Sequence, residues 1–226
     1  MIAVIADVHS NLEALKKVLG KIKNSELILD AGDIVGYNAK PNECVELVKK
    51  LKIKSVLGNH DHACITGNAE DMNPIAAEAA EWTRKNLTAD NMKYLKKLPE
   101  KLEIDIKGKK IVIIHGSPTN PLYGYVFPWV PDSIFAKFLQ DTKTDILILG
   151  HTHVPFVKKL DGKLVVNPGS VGQPRDHRRE ASHAVIDPAR MDARIVRTEY
   201  DIMRVSDEIT GAGLPVFLAE RLFSGM

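Results

Sequence analysis

Five short polar clusters follow five apolar runs along this chain. Asp7-Val8-His9 comes after Ile2 to Ala6, and Gly32-Asp33 after Leu27 to Asp30. Gly58-Asn59-His60-Asp61 comes after Ser55 to Leu57, His115-Gly116 after Lys110 to Ile114, and Gly150-His151-Thr152-His153 after Ile146 to Leu149. Continuous apolar runs of this length suit strands buried on both faces. Loops that leave such strands at one sheet edge can converge on a single point. Asp, His and Asn delivered there in series are the ligands a binuclear metal centre needs, so the pattern predicts a two-metal hydrolase on a layered α/β scaffold.

The segments between the clusters support that scaffold. Leu12, Leu15, Val18, Leu19 and Ile22 keep helical spacing over about residues 11–23, with Ser10 or Asn11 as cap, and residues 41–51 read as a second helix. Strand, helix and strand in alternation predict a βαβ unit. Residues 62–99 are Ala-rich and helical in pattern, with an inserted helical part at about 71–98 that is expected to wall the pocket. Lys107-Gly108-Lys109 and Asp161-Gly162 are hairpin turns, and the many strands of the second half predict a second sheet packed on the first. A helical tail over about 200–226, broken near Gly211 to Pro215, completes the reading. At 226 residues and 44% apolar, the chain is expected to form one domain over 1–226.

Charge narrows the partners. With 31 Lys plus Arg against 29 Asp plus Glu, the net charge of +2 argues against long nucleic acid and membrane surfaces. The sequence MIAVIADVHS carries no secretion leader, and the expectation is a cytoplasmic protein. Cys44 and Cys64 are read as free thiols, and Cys64 as a packing residue rather than a ligand.

Taken singly, most clusters have an ordinary explanation. Asp7 can cap the next helix and leave His9 exposed; Asp33 can be a loop carboxylate; a histidine at a strand end is more often structural than ligating. The alternation of an extended strand end would instead send Asp7 and His9 to one cation. Asn59 supplies a neutral oxygen donor, and His60, one residue on, would face a substrate. His62 is read as a surface residue. Three histidines, His115, His151 and His153, behind two apolar strands are harder to explain without metal.

The ordered set D-x-H, G-D, G-N-H-D, H-G and G-H-T-H resembles the calcineurin-like metallophosphoesterase superfamily, in its small prokaryotic phosphodiesterase-type branch, over roughly Met1 to Gly172. That resemblance implies a four-layer α/β/β/α sandwich with the site at its strand ends. It implies that Asp7, His9, Asp33 and His153 hold one divalent ion, and that Asp33, Asn59, His115 and His151 hold the other. His60 would then meet the scissile phosphate as general acid or charge stabiliser.

Physical reasoning agrees. Two cations bridged by Asp33 can generate a bridging hydroxide near neutrality and clamp phosphoryl oxygens for in-line attack. Asp61 is expected to orient His60, and Asn11 and Arg175 to contact the substrate phosphate, with helix capping an equal alternative for Asn11. Arg178 and Arg179 are read as solvated charges. Protein phosphatases of the superfamily carry an Asp-Arg pair soon after the bridging aspartate, whereas Ile34-Val35-Gly36-Tyr37 follow Asp33 here. One guanidinium fewer for a dianion favours diesters of small molecules or nucleotides over phosphomonoesters and phosphoproteins. The other alternative is a non-catalytic protein-interaction scaffold with the same fold. Mixed O and N ligands admit Mn²⁺, the favoured ion, or Fe, Ni, Co or Zn. Leu214, Val216, Phe217, Leu218, Leu222 and Phe223 leave the tail free to pack on its own domain or on a second copy as a homo-oligomer.

Overall fold

The computed structural model describes residues 1–226. The first sheet begins with parallel strands β1 (Ile2–Ile5), β2 (Leu27–Asp30) and β3 (Lys54–Ser55), joined by helices α1 (Leu12–Ile22) and α2 (Pro41–Lys50). After helices α3 (Asn59–Thr66), α4 (Pro74–Asn86) and α5 (Ala89–Leu95), the second sheet forms. It contains β4 (Lys101–Ile106), β5 (Lys109–Ile114), β6 (Ile146–Ile148), β7 (Phe156–Leu160) and β8 (Lys163–Asn167) in the order β4-β5-β6-β8-β7, with α6 (Asp132–Thr142) between β5 and β6. The chain then returns to the first sheet through β9 (Ala181–Asp187) and β10 (Asp192–Thr198), giving β10-β9-β1-β2-β3. Helices α7 (Ile202–Gly211) and α8 (Val216–Glu220) follow.

Alternation along the strands builds the layers. Ile2 and Val4 of β1 join Ile111 and Ile113 of β5 and Ile146 and Ile148 of β6 in a core between the sheets. Ala3 and Ile5, on the other face of β1, pack with Leu15 and Val18 of α1 and Val45 and Val48 of α2. Val112 and Ile114 face outward to Phe135, Phe138 and Leu139 of α6. Helices, sheet, sheet and helix are therefore stacked as a four-layer α/β/β/α sandwich. Each large aliphatic side chain fully buried in these layers contributes about 1.5–3 kcal/mol.

Several sequence expectations are met closely. Lys107 and Gly108, and Asp161 and Gly162, take positive φ at the two-residue turns of their hairpins, as a right-twisted pair requires. Leu214, Leu218 and Leu222 of the tail are buried against the first core, while Val216, Phe217 and Phe223 stay exposed. Both cysteines are buried and unpaired. No helix is long and apolar enough to cross a membrane.

The inserted helices depart from expectation. Ala76, Ala79 and Ala80 direct α4 into the first core, where it packs with Ala63 and Cys64 of α3. Within about 71–98, only Asp71, ahead of α4, lines the opening of the polar cleft. The segment between β5 and α6 contributes three of the six lining residues instead, Asn120, Tyr123 and Tyr125.

Candidate metal centre

Parallel strands of both sheets deliver the polar clusters from their carboxyl ends. Asp7 follows β1, Asp33 follows β2, Asn59 opens α3 just after β3, His115 follows β5, and His151 and His153 follow β6. All seven expected ligands are buried, with Asn59 the most exposed at 6%. Ligand-type atoms lie within 4.8 Å of one another in the sets Asp7, His9, His153; His9, Asp33, His60; and Asp33, His115, His151. Asp33 Oδ2 stands 3.6 Å from His9 Nε2 and 3.3 Å from His115 Nε2, between the first set and the last. Asn59 Oδ1 is 3.0 Å from His115 Nε2. The two expected groups are thus brought together around one carboxylate.

The backbone that does this is not the extended strand end the spacing suggested. Asp7, His9, Asp33, His151 and His153 all have positive φ, between 47° and 67°. Left-handed non-glycine residues are uncommon, and their concentration here is strain held at one place by its surroundings. The loops interlock to hold it: Asp7 N–H donates to Gly32 O, His9 N–H to Asp33 O and Ser10 N–H to Ile34 O. Asn167, at the end of β8, donates to Gly150 O at 2.7 Å and Thr152 Oγ1 at 3.1 Å, pinning the turn that carries His151 and His153.

The imidazoles are oriented from behind. Nδ1 of His9, His115 and His153 faces the carbonyls of Val35, Ala31 and Gln173 at 3.1, 2.8 and 2.6 Å. A carbonyl only accepts, so each Nδ1 carries hydrogen, and in a neutral ring Nε2 is left with the lone pair. His9 Nε2 and His153 Nε2 are 3.0 Å apart, and burial holds both pKa values well below 6.5, so two lone pairs face each other. Asp7 Oδ2, Asp33 Oδ2 and His151 Nε2 are buried without a hydrogen-bond partner. Facing lone pairs and buried oxygen and nitrogen atoms crowded together are a donor set that fits divalent cations once its protons are released.

Electrostatics separates the group further. Burial works against a charge on His115, but Asp33, with Asp7 in support, overrides it and raises the pKa to about 10. Burial also resists ionisation of Asp33, yet the neighbouring histidines, His115 first, hold its pKa below the ordinary value. Asp7 is pushed up to about 8 by burial, with His115 opposing and Asp33 adding. Burial lowers His151 to about 3. His60 falls to about 4, burial outweighing the pull of Asp33.

Hydrogen bonds decide one open role and correct two others. Asn11 caps α1: Oδ1 accepts Ala14 N–H at 3.1 Å and Nδ2 donates to Gly172 O at 3.0 Å, leaving the side chain 1% exposed and engaged at both ends. Asp61 does not orient His60. Its oxygens accept N–H from Asp33 and Val35, each at 3.0 Å, and from Gly58 at 3.1 Å, so it clamps the strained Asp33 loop. Burial, then the charge of Asp33, lifts Asp61 to about 7 against those donors. His62 is no free surface residue, since Nδ1 lies 3.1 Å from Tyr123 Oη.

His60 is instead set by Asp33, whose Oδ1 accepts its backbone N–H at 2.8 Å, and by Tyr37, whose ring centroid is 4.3 Å away. Tyr37 also meets His9 at 4.6 Å and accepts from Arg175 at 3.0 Å, so one buried ring positions three polar groups. The Gly36-Tyr37 pair was its only sequence signal: a Cβ on Gly36, at φ +99°, would collide with the His60 ring. Arg175, half-buried, is held on Tyr37 and on Gln173 Oε1 at 3.1 Å, beside the cluster as expected.

Comparison with known proteins points the same way. The model of the calcineurin-like phosphoesterase superfamily domain matches residues 1–191. An uncharacterized protein of Methanocaldococcus jannaschii is 43% identical over 244 residues, covering 100% of this chain and 98% of its own length. The crystal structure of a metallophosphoesterase from Sphaerobacter thermophilus superposes with a TM-score of 0.87 at 37% identity, covering 100% of this chain and 99% of that one. A hypothetical protein from Pyrococcus horikoshii OT3 superposes at 0.92 with 25% identity and the same coverage.

Proposed function

The chain belongs to the calcineurin-like phosphoesterase superfamily, and from that premise we propose that it is a divalent-metal-dependent phosphodiesterase acting on small-molecule or nucleotide diesters. Asp7, His9, Asp33 and His153 would hold one ion and Asp33, Asn59, His115 and His151 the other. The observation that carries this reading is Asp33 Oδ2, buried 3.6 Å from His9 Nε2 and 3.3 Å from His115 Nε2, one carboxylate oxygen shared between the two groups. When bound, the cations supply Lewis-acid charge to phosphoryl oxygens and acidify water toward neutrality.

The protein's own groups do the rest. Hydrolysis joins a water oxygen to phosphorus and breaks one P–O ester bond, and the leaving oxygen takes a proton. With a pKa of about 4, His60 is neutral near pH 7. In the substrate-free site it is therefore a neutral imidazole, placed to hydrogen-bond the phosphate or, once protonated beside that anion, to give the leaving oxygen its proton. Arg175 brings one fixed positive charge to the same side, where it lowers the pKa of His9, His60 and His153. A single guanidinium with a neutral histidine suits the monoanion of a diester better than the dianion of a monoester. A scaffold that bound no metal would gain nothing from five strained ligand positions.

The test is turnover by the metal-reconstituted protein of p-nitrophenyl phosphate, bis(p-nitrophenyl) phosphate and a 2′,3′-cyclic nucleotide. The expected kcat/KM is at least about tenfold higher for the diesters, a difference of about 1.4 kcal/mol in the barrier. A ratio inverted toward the monoester overturns the diester preference. No turnover of any of them with Mn²⁺, Fe²⁺, Co²⁺, Ni²⁺ or Zn²⁺ overturns the enzyme.

A further inference from the structure

The wall between β5 and α6 contains a feature that phosphoryl chemistry does not use. Residues 125–129 run with alternating faces: Val126 is buried in the third core, and Val130 packs against it. Tyr125, Phe127 and Trp129 are presented together on the other face. Their rings form a stack, with Tyr125 and Phe127 at 5.9 Å and 8° and Phe127 and Trp129 at 4.7 Å and 7°. The stack begins at the metal centre, because the Tyr125 ring centroid is 4.1 Å from that of His151. It then leads outward into solvent, where Tyr125 is 59% and Trp129 71% exposed. Pro128 and Pro131 stiffen the segment on either side of Trp129.

The cleft beside it is small. Asn59, Asp71, Asn120, Tyr123, Tyr125 and His151 enclose about 290 Å³, at the lower end of the roughly 300–1,000 Å³ of small-molecule sites. A phosphoryl group and its immediate substituents fill it, so a larger substrate extends beyond it, and Tyr125 is one of the residues it can cross. What waits there is a row of parallel π-faces. Flat aromatic bases stack on such rings in a sequence-tolerant way. None of the six cleft residues is Lys or Arg, which disfavours a polyanionic strand, and an acyl chain would need an enclosed apolar channel rather than an open rail.

We propose that Tyr125, Phe127 and Trp129 form a base-stacking rail, which makes the substrate a nucleotide diester with its phosphoryl group at the Asp/His cluster and a nucleobase on the rail. This rests on the phosphodiesterase reading and narrows it. Two diesters with a common leaving group isolate the base: thymidine 5′-(p-nitrophenyl phosphate) and methyl p-nitrophenyl phosphate. The wild-type kcat/KM should favour the thymidine ester by about tenfold or more. Phe127→Ala/Trp129→Ala should lower that ratio roughly five- to hundredfold, the range of base–aromatic stacking. The ratio cancels any loss of folded protein. A wild-type ratio near one, or a ratio unchanged in the double variant, overturns the rail.

A binding readout separates this from failure of the parent reading. The chain has two tryptophans, so Trp82→Phe leaves Trp129 as the sole reporter. Thymidine 5′-monophosphate should quench its emission and ribose 5-phosphate should not. If neither ester is hydrolysed, the phosphodiesterase reading falls while base-selective quenching upholds the rail. Equal quenching by both compounds, or none by either, overturns it.

Discussion

Loading the metal-free protein with Mn²⁺ should expel between one and two protons per chain at about pH 7.5. His115, raised to about 10, is almost fully protonated there, and Asp7, at about 8, is protonated in most molecules. Both are expected ligands, and a ligand atom must give up its proton to the cation. The sign follows from the shifts. The folded chain keeps these protons above the ordinary values of 6.5 and 3.8, so metal and proton compete and affinity rises with pH. The apparent Kd should tighten by up to about tenfold per pH unit for each proton released. For Asp7 that gain ends as pH passes about 8, and for His115 as it passes about 10. Titration calorimetry in HEPES and in Tris reports the number directly, as the slope of observed heat against buffer ionisation enthalpy. Asp7→Asn removes one of the two titrating groups and leaves Asp33, Asn59, His115 and His151 whole, and its slope should be smaller by up to one proton. Heats independent of buffer, with a Kd flat from pH 6.5 to 8.5, would refute the reasoning.

Two further outcomes follow from buried groups. Asp61→Ala leaves the N–H groups of Asp33, Val35 and Gly58 without their acceptor. It should lower the unfolding free energy by about 3 kcal/mol or more, measured by urea titration; a loss below about 1 kcal/mol would contradict the clamp. His183 of β9 is buried, and burial, with Arg194 adding, lowers its pKa to about 4 from 6.5. Below 6.5 the unfolded chain takes up a proton that the folded chain refuses, so this stability is present above 6.5 and is lost as pH falls toward 4. The difference amounts to as much as about 3 kcal/mol. His183→Gln should flatten the stability–pH curve in that window, and an unchanged slope would contradict the assignment.

Much of the site was legible because its candidate ligands sit where apolar runs stop. Ile2 to Ala6 and Ile146 to Leu149 announce strand ends, and strand ends of parallel sheets share an edge. The left-handed backbone at Asp7, His9, Asp33, His151 and His153 was not legible, since Asp and His carry no mark of φ and the constraint comes from loops paired across the fold. Asp61 was misread for a similar reason: its partners Asp33 and Val35 are 28 and 26 residues away. The return of β9 and β10 to the first sheet depends on pairing with β1, about 180 residues earlier. Tyr125, Phe127 and Trp129 did leave a trace. Aromatic residues at every second position, interrupted by Pro128 and continuing into no strand, mark a surface-facing extended segment.

The most direct test of the central claim is an anomalous difference map from Mn²⁺-loaded crystals. The account predicts two peaks, one enclosed by Asp7, His9 and His153 and the other by Asn59, His115 and His151, with Asp33 between them. A single peak, or peaks away from Asp33, would contradict a shared two-metal centre.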